Sequence, residues 1–268
     1  MKKLGIVILI LCMFFVVYGF YTGLEITHYT YRDHELPQKF DGYRIAFISD
    51  LHCKEIGKKQ KKLIRTIVAC KPNMVVFTGD MIDGDHEDIT AVKELLAGLK
   101  GRYPMYAVSG NHERDILNNY DQLQEYYREF GVINLDDSSY TISFEGAHIG
   151  IYGKPYLGGY YSEDFLRKPD KDKNEFNILL FHDSTAFIPV SLRGYNLVLS
   201  GHTHGGIIRL PFLGGIINNN GSLHPEFDNG MYVRNGSTLI SNRGIGDADF
   251  PRYYNRPEVV CITLRVRK

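Results

Sequence analysis

Along its hydrophobic and polar positions, the chain divides into an apolar head and a long body in which short β-rich runs alternate with helical stretches. The head, Leu4 to Phe20, carries no charge and follows Lys2 and Lys3. It is long enough to cross a bilayer, though only just. In the body, Lys58 to Lys71 sets Leu63, Ile64, Ile67 and Val68 on one helical face and closes at Pro72. Asp88 to Lys100 does the same with Ile89, Val92, Leu95, Leu96 and Leu99, and Tyr120 to Phe130 with Leu123, Tyr127 and Phe130. These faces predict core packing in α/β layers that start at Tyr43.

The β-rich runs are more informative, because each stops at a polar cluster. Arg44 to Ser49 ends in Asp50-Leu51-His52, Met74 to Thr78 in Gly79-Asp80, and Met105 to Ser109 in Gly110-Asn111-His112-Glu113. Asn177 to Phe181 ends in His182-Asp183, and Asn196 to Ser200 in Gly201-His202-Thr203-His204. Ligands of open α/β sheets bind outside the carboxyl ends of strands, so five such runs deliver five clusters to one rim. A hairpin is expected between Tyr140 and Ile151, with Gly146-Ala147 near its turn. Lys168 to Glu175 reads as an exposed loop, and Gly205 to Asn229 as a surface excursion above the site. No repeat or second domain is visible. The expected organisation is an anchor or signal over residues 1–22, a lead-in over 23–42 and one domain over 43–268.

Charge and cysteine content narrow the class. Lys+Arg and Asp+Glu both total 31 in 268 residues, which disfavours nucleic acid as the main partner and makes any phosphate recognition local. The head suits a signal peptide as well as an anchor. No Ala-x-Ala site follows it, which favours the anchor. Lys2 and Lys3 then stay cytoplasmic and place the domain outside the membrane, with secretion as the alternative. Cys53, Cys70 and Cys261 of the body cannot all pair with one another, and no CxxC spacing occurs, so neither a disulfide framework nor a zinc ribbon is expected. Cys53 follows His52 and reads as a small buried residue rather than a ligand.

Carboxylate, imidazole and amide side chains at strand ends are what a two-metal hydrolase needs. Asp50 and His52 are two apart, so an extended exit from the strand would turn both to one face; His202 and His204 repeat the spacing. Glycines 79, 110 and 201 precede ligand candidates, where tight turns are needed. The ordered series DLH, GD, GNHE, H and GHTH resembles that of the calcineurin-like metallophosphoesterases, DxH, GD, GNH(D/E), H and GHxH, over Asp50 to His204. The resemblance implies a two-sheet β-sandwich flanked by helices, of the α/β class, with a dinuclear site at one edge. It also implies two divalent metals, with Mn, Fe, Zn and Ni all compatible. Asp50, His52 and His204 would hold the first metal, Asn111, His182 and His202 the second, and Asp80 would bridge them. A hydroxide shared by the metals would attack phosphorus, and His112 would orient the phosphoryl oxygen or protonate the leaving group.

The other histidines, His28, His34, His86, His148 and His224, read as ordinary core or surface residues. Asp183 and Glu113 read equally as groups orienting imidazoles and as turn or helix-start residues. Arg243 reads as a phosphate contact or as an exposed turn residue. NRGIGDADFPRYYNRPEV, GHTHGGIIRLPFLGG and the apolar head resemble a bacterial membrane-associated branch similar to lipid-linked UDP-diacylglucosamine hydrolases and related phosphodiesterases. The expectation is a metal-dependent phosphoric ester hydrolase acting on a phosphodiester or pyrophosphate bond, in a lipid-linked or envelope-derived substrate. A phosphomonoesterase and a non-catalytic metal-binding membrane module are the alternatives. An outward domain would not meet cytoplasmic lipid precursors.

Overall fold

The strand-forming runs are buried along nearly their whole length, as sheets covered on both faces require: no residue of Met74–Phe77, Asn177–Asp183 or Leu197–Gly201 reaches solvent appreciably. The computed structural model describes residues 2–84, 88–115, 117–159, 161–166, 176–217, 223–246 and 251–267. The strands are β1 (Glu25–Asp33), β2 (Arg44–Ile48), β3 (Met74–Phe77), β4 (Met105–Ala107), β5 (Val132–Asn134), β6 (Ser138–Phe144), β7 (Ala147–Lys154), β8 (Asn177–Asp183), β9 (Leu197–Gly201), β10 (Ile208–Leu210), β11 (Gly214–Ile217), β12 (Gly230–Arg234), β13 (Ser237–Ser241) and β14 (Glu258–Val266). The helices are α1 (Lys2–Gly19), α2 (Lys61–Ala69), α3 (Thr90–Leu99), α4 (His112–Asp115), α5 (Leu117–Phe130), α6 (Glu163–Leu166) and α7 (Phe187–Ser191).

Two six-stranded sheets form, ordered β1-β14-β2-β3-β4-β5 and β12-β13-β9-β8-β7-β6. Ile45, Phe47, Val76 and Val260 of the first pack against Ile151, Ile178, Leu180 and Leu199 of the second. Outside the first sheet lie the helices carrying Leu63, Ile67, Val92, Leu95, Leu96, Leu123 and Tyr127. Outside the second lie Phe187 and Val190, on Leu179, Phe181 and Val198. The sandwich flanked by helices is therefore present. Because β2, β3 and β4 run parallel, as do β7, β8 and β9, their carboxyl ends open at one rim.

Several sequence expectations change in detail. The lead-in contributes β1, which runs parallel to β14 from Glu25 opposite Glu258 to Asp33 opposite Val266. Its half-polar alternation is that of an edge strand, with only Tyr31 and Asp33 fully covered. The helix expected from Lys58 starts at Lys61, because Lys59 and Gln60 adopt positive φ and the Gln60 side chain accepts from Ile56 N–H and donates to the Lys54 carbonyl. The hairpin expected over 140–151 is present and turns at Glu145-Gly146, one residue earlier than the Gly146-Ala147 expected, because Ala147 already opens β7. The loop over 168–175 lies outside the described residues, as do 218–222 of the 205–229 excursion and 247–250 of the closing segment.

The apolar head is a single helix, α1, long and apolar enough to cross a membrane, exposed except at Gly19. The cysteine expectation needs correction: Cys70, at the end of α2, and Cys261, in β14, form a disulfide across 191 positions of sequence, leaving Cys12 and Cys53 free. Spacing could not reveal it, because only the sheet order brings β14 beside the loop after α2. A link closing so long a loop restricts the unfolded chain strongly. Reduction, or Cys261→Ser, is expected to cost about 2–4 kcal/mol of stability, read as a lower urea midpoint. Coincident unfolding curves with and without reductant would refute the linkage.

Candidate metal centre

The chain leaves its strands by sharp left-handed turns rather than by the extended exit expected from sequence. Asp50, His52, Asp80, His202 and His204 have φ of 52°, 47°, 51°, 72° and 49°. Non-glycine residues rarely accept such values, and their clustering at one rim marks a site whose surroundings hold them there. Here the holding bonds are visible. Asp50 N–H donates to Gly79 O, His52 N–H to Asp80 O and Cys53 N–H to Met81 O, joining the turns after β2 and β3. Gly79 and Gly201 are needed for contact: a Cβ on Gly79, at φ 94°, would lie 2.4 Å from the Gly110 nitrogen, and one on Gly201 would lie 1.9 Å from Ser49 Oγ.

These turns bring together all seven residues expected to be ligands. Asp50, His52 and His204 form one group, with His52 Nε2 3.1 Å from His204 Nε2 and His204 Nε2 3.8 Å from Asp50 Oδ1. Asp80, His182 and His202 form another, with His182 Nε2 3.1 Å from both Asp80 Oδ2 and His202 Nδ1. Asn111 Oδ1 joins it, 3.0 Å from both of those imidazole nitrogens. Asp80 Oδ2 also lies 3.9 Å from His52 Nε2, so this carboxylate faces both groups. A third overlapping group contains His52, Asp80 and His112.

The donor set fits divalent cations. Ligands about 2.1 Å from an ion stand about 3.0–3.4 Å apart at right or tetrahedral angles, close to the separations seen. Burial lowers the proton affinity of His52, His202 and His204, favouring the neutral imidazoles that metals require. His182 behaves oppositely. Burial would lower it, but Asp80, Asp50 and the Thr78 carbonyl outweigh burial and raise it to about 10. Burial would likewise raise the Asp80 carboxyl, yet His182 and His52 hold it well below the usual carboxylate range.

Around this centre, groups that sequence left undecided take definite places. Glu113 accepts from four backbone N–H groups, those of Asp80 and Gly110 at one oxygen and of Met81 and Ile82 at the other. Burial and the Asp80 charge push it up to about 7. All four partners are donors, however, and a protonated oxygen would confront one of them, so we read the group as ionised. Asp183 caps the following turn through Thr185 and accepts from Tyr161 Oη. Arg243 is neither a phosphate contact nor an exposed turn residue: its half-buried guanidinium is paired with Glu25 and Glu258. Cys53 is half-buried, packs on the core beside α2 and belongs to none of the ligand groups. Among the described residues, no such group includes His28, His34, His148 or His224; His86 lies outside them.

Three residues escaped the sequence reading. Arg252 places its guanidinium 3.2 Å from His204 Nδ1 and donates to the Gly246 and Arg243 carbonyls, while Asn255 Nδ2 donates to the His204 carbonyl at 2.6 Å. Tyr156, just after β7, brings its ring within 5.4 Å of His202 and 6.0 Å of His182. Its signal was available, since β7 runs parallel to β8 and ends at the same rim.

A model of the calcineurin-like phosphoesterases matches residues 43–206. YkuE of Bacillus subtilis, an uncharacterized metallophosphoesterase, is 32% identical over 90% of this chain and 86% of its own length. LpxG of Chlamydia muridarum, a UDP-2,3-diacylglucosamine pyrophosphatase, is 27% identical over 86% of each chain. The phosphodiesterase YaeI of Escherichia coli is 24% identical over 83% of this chain and 82% of its own.

Glu113→Gln tests the scaffold without touching a proposed ligand. An amide nitrogen in place of one oxygen faces two N–H donors, so a loss of about 2–4 kcal/mol in stability is expected. Metal affinity should fall by about 10–100-fold, as it does when supports behind ligands are removed. Unchanged affinity by titration would separate Glu113 from the centre.

Proposed function

Because the chain belongs to the calcineurin-like phosphoesterases, metal-dependent hydrolases of phosphoric esters, we propose that its centre binds two divalent cations and cleaves a phosphodiester or pyrophosphate bond in an amphiphilic substrate. The observation that carries the reading is the position of Asp80, whose carboxylate faces both ligand groups. Asp50, His52 and His204 hold one cation, Asn111, His182 and His202 the other, and Asp80 serves both. Such cations supply Lewis acidity toward a phosphoryl oxygen and an activated water. Nitrogen and oxygen donors together suit Mn, Fe, Zn or Ni.

His112 acts on the departing oxygen. Its backbone N–H donates to Asp80 Oδ1 at 2.9 Å, and its half-exposed ring stands edge-on to His52 at 4.7 Å. Nδ1 accepts from Gly84 N–H at 3.2 Å, which leaves Nε2–H as the ring's free donor toward the departing oxygen, able to hydrogen-bond the charge that develops there.

The bond type comes from the relatives, one named as a pyrophosphatase of a diacylated sugar nucleotide and one as a phosphodiesterase. Membrane attachment is supported by α1, held to the domain by Tyr254, whose N–H donates to Gly19 O and whose hydroxyl donates to Phe15 O. Residues 1–22 thus serve as the anchor. Lys2 and Lys3 favour an outward domain, and the Cys70–Cys261 disulfide supports it, since such bonds persist in oxidising compartments. An outward domain meets amphiphiles of the outer leaflet or envelope rather than cytoplasmic precursors.

Asp80→Asn is expected to abolish hydrolysis and lower bound metal, because a neutral amide cannot offset two cations. Retention of two metals per chain with near-normal turnover would remove Asp80 from the shared position. His112→Asn should keep both metals while losing about 10²–10⁴ in kcat on poor leaving groups, and much less on nitrophenyl esters. A loss of metal in this variant would move His112 into the ligand shell. An equal loss on both ester types would make it a phosphate-positioning group.

A further inference from the structure

We propose that the tip of the β10–β11 hairpin, Phe212 and Leu213, is a second membrane contact that seats the catalytic rim against the bilayer holding α1. The proposal rests on the reading of α1 as an anchor. Three placements support it. First, α1 enters the domain at the catalytic rim: β1 and β14 begin side by side at Glu25 and Glu258, and β14 runs antiparallel to β2, so both start where β2 delivers Asp50. Second, the end of α1 and the hairpin meet on one strap. Tyr253 packs its ring 4.9 Å from Phe20, Tyr254 packs 4.9 Å from Phe15, and the Tyr253 backbone pairs with Ile207 and Arg209 at the root of β10. Third, the tip is bare and apolar. Phe212 is 108% and Leu213 69% exposed, and Leu223, bridged to the end of β11, is 67% exposed. The one charged side chain between Ile208 and Ile217 is Arg209, which turns inward to the Gly205 carbonyl and Asp228.

The lipid surface is the occupant that continuity favours. Phe212 lies in the turn three residues beyond Arg209, a reach of at most about 10 Å, and the headgroup layer is about 5–8 Å thick. With Tyr254 alongside the last turns of a spanning helix, the tip reaches that layer. The strap also carries Arg252 and Asn255, which hold His204, and Asp228, Arg209's partner, accepts at its carbonyl from Thr203 Oγ1. Hairpin, anchor and ligand loop are therefore joined by direct contacts, and an amphiphile can present its phosphate to the rim without leaving the bilayer.

The chain contains no tryptophan, so single Trp replacements report position directly. Full-length chain carrying Phe212→Trp, Leu9→Trp in α1, or Lys39→Trp near the opposite rim is reconstituted in phosphatidylcholine–phosphatidylglycerol vesicles with brominated acyl chains. The expected result is a blue shift and loss of emission for Phe212→Trp and Leu9→Trp, with Lys39→Trp unquenched. Quenching in Leu9→Trp without quenching in Phe212→Trp overturns the proposal and leaves the anchor standing. A blue shift in Phe212→Trp without quenching by bromolipid places the tip against a second copy of the chain and also overturns it. No quenching in Leu9→Trp removes the anchor, and the proposal falls with it.

Discussion

Lone pairs aimed at one another are the constraint on which the rest of this structure depends. Imidazole nitrogens, carboxylate oxygens and an amide oxygen converge within 3.0 to 3.9 Å at the rim, largely out of water. Such an arrangement is unfavourable unless positive charge lies among the donors, so the polypeptide must hold it open by other means. The means are backbone bonds, close glycine contacts and buried polar braces. Glu113 binds the turn after β3 to the turn after β4, and Arg252 and Asn255 fasten the loop after β9 from behind.

That demand reaches into the sandwich itself. Asp50 follows β2 of the first sheet and His202 follows β9 of the second, yet the His202 N–H donates to the Asp50 carboxylate at 3.1 Å. His182 crosses the same gap to place Nδ1 against the Thr78 carbonyl. Ligands contributed by two sheets stay in register only if the sheets cannot slide. The continuous layer of Ile45, Phe47, Val76, Ile178, Leu180 and Leu199 prevents sliding through close packing. Core and site are thus one problem, and a cavity in this layer would be felt at the rim.

Much of this was legible in sequence because it is local. Apolar runs ending in Asp50, Asp80, Asn111, His182 and His202 show both strand and destination within a few residues, and parallel order follows from the helices between them. What remained hidden depends on long-range placement or on backbone sign. The left-handed turns at Asp50, His52 and Asp80 leave little mark, because Asp and His accept positive φ more readily than most residues yet still adopt it only in a minority of cases. Arg243 is drawn into the fold by Glu25, which seemed to lie in a lead-in because β1 gains meaning only beside β14. The Cys70–Cys261 bond depends on the same strand order.

The two ends of the centre differ in how they treat charge, and the difference follows from their neighbours. His182 sits against Asp80 with Asp50 near, so a proton on its ring is stabilised and the pair takes the form of a buried imidazolium and carboxylate. The proton supplies, in part, the positive charge that the carboxylates call for. At the other end, burial, His52 and the Arg252 guanidinium all oppose protonation of His204, which stays a neutral donor. On the proposed two-cation reading, a cation taken up beside His182 would displace a proton, and one taken up beside His204 would displace none. Metal uptake would then be linked to proton release at one end and to preorganised lone pairs at the other, because the one carboxylate that faces both groups, Asp80, lies between surroundings of unlike electrostatic character.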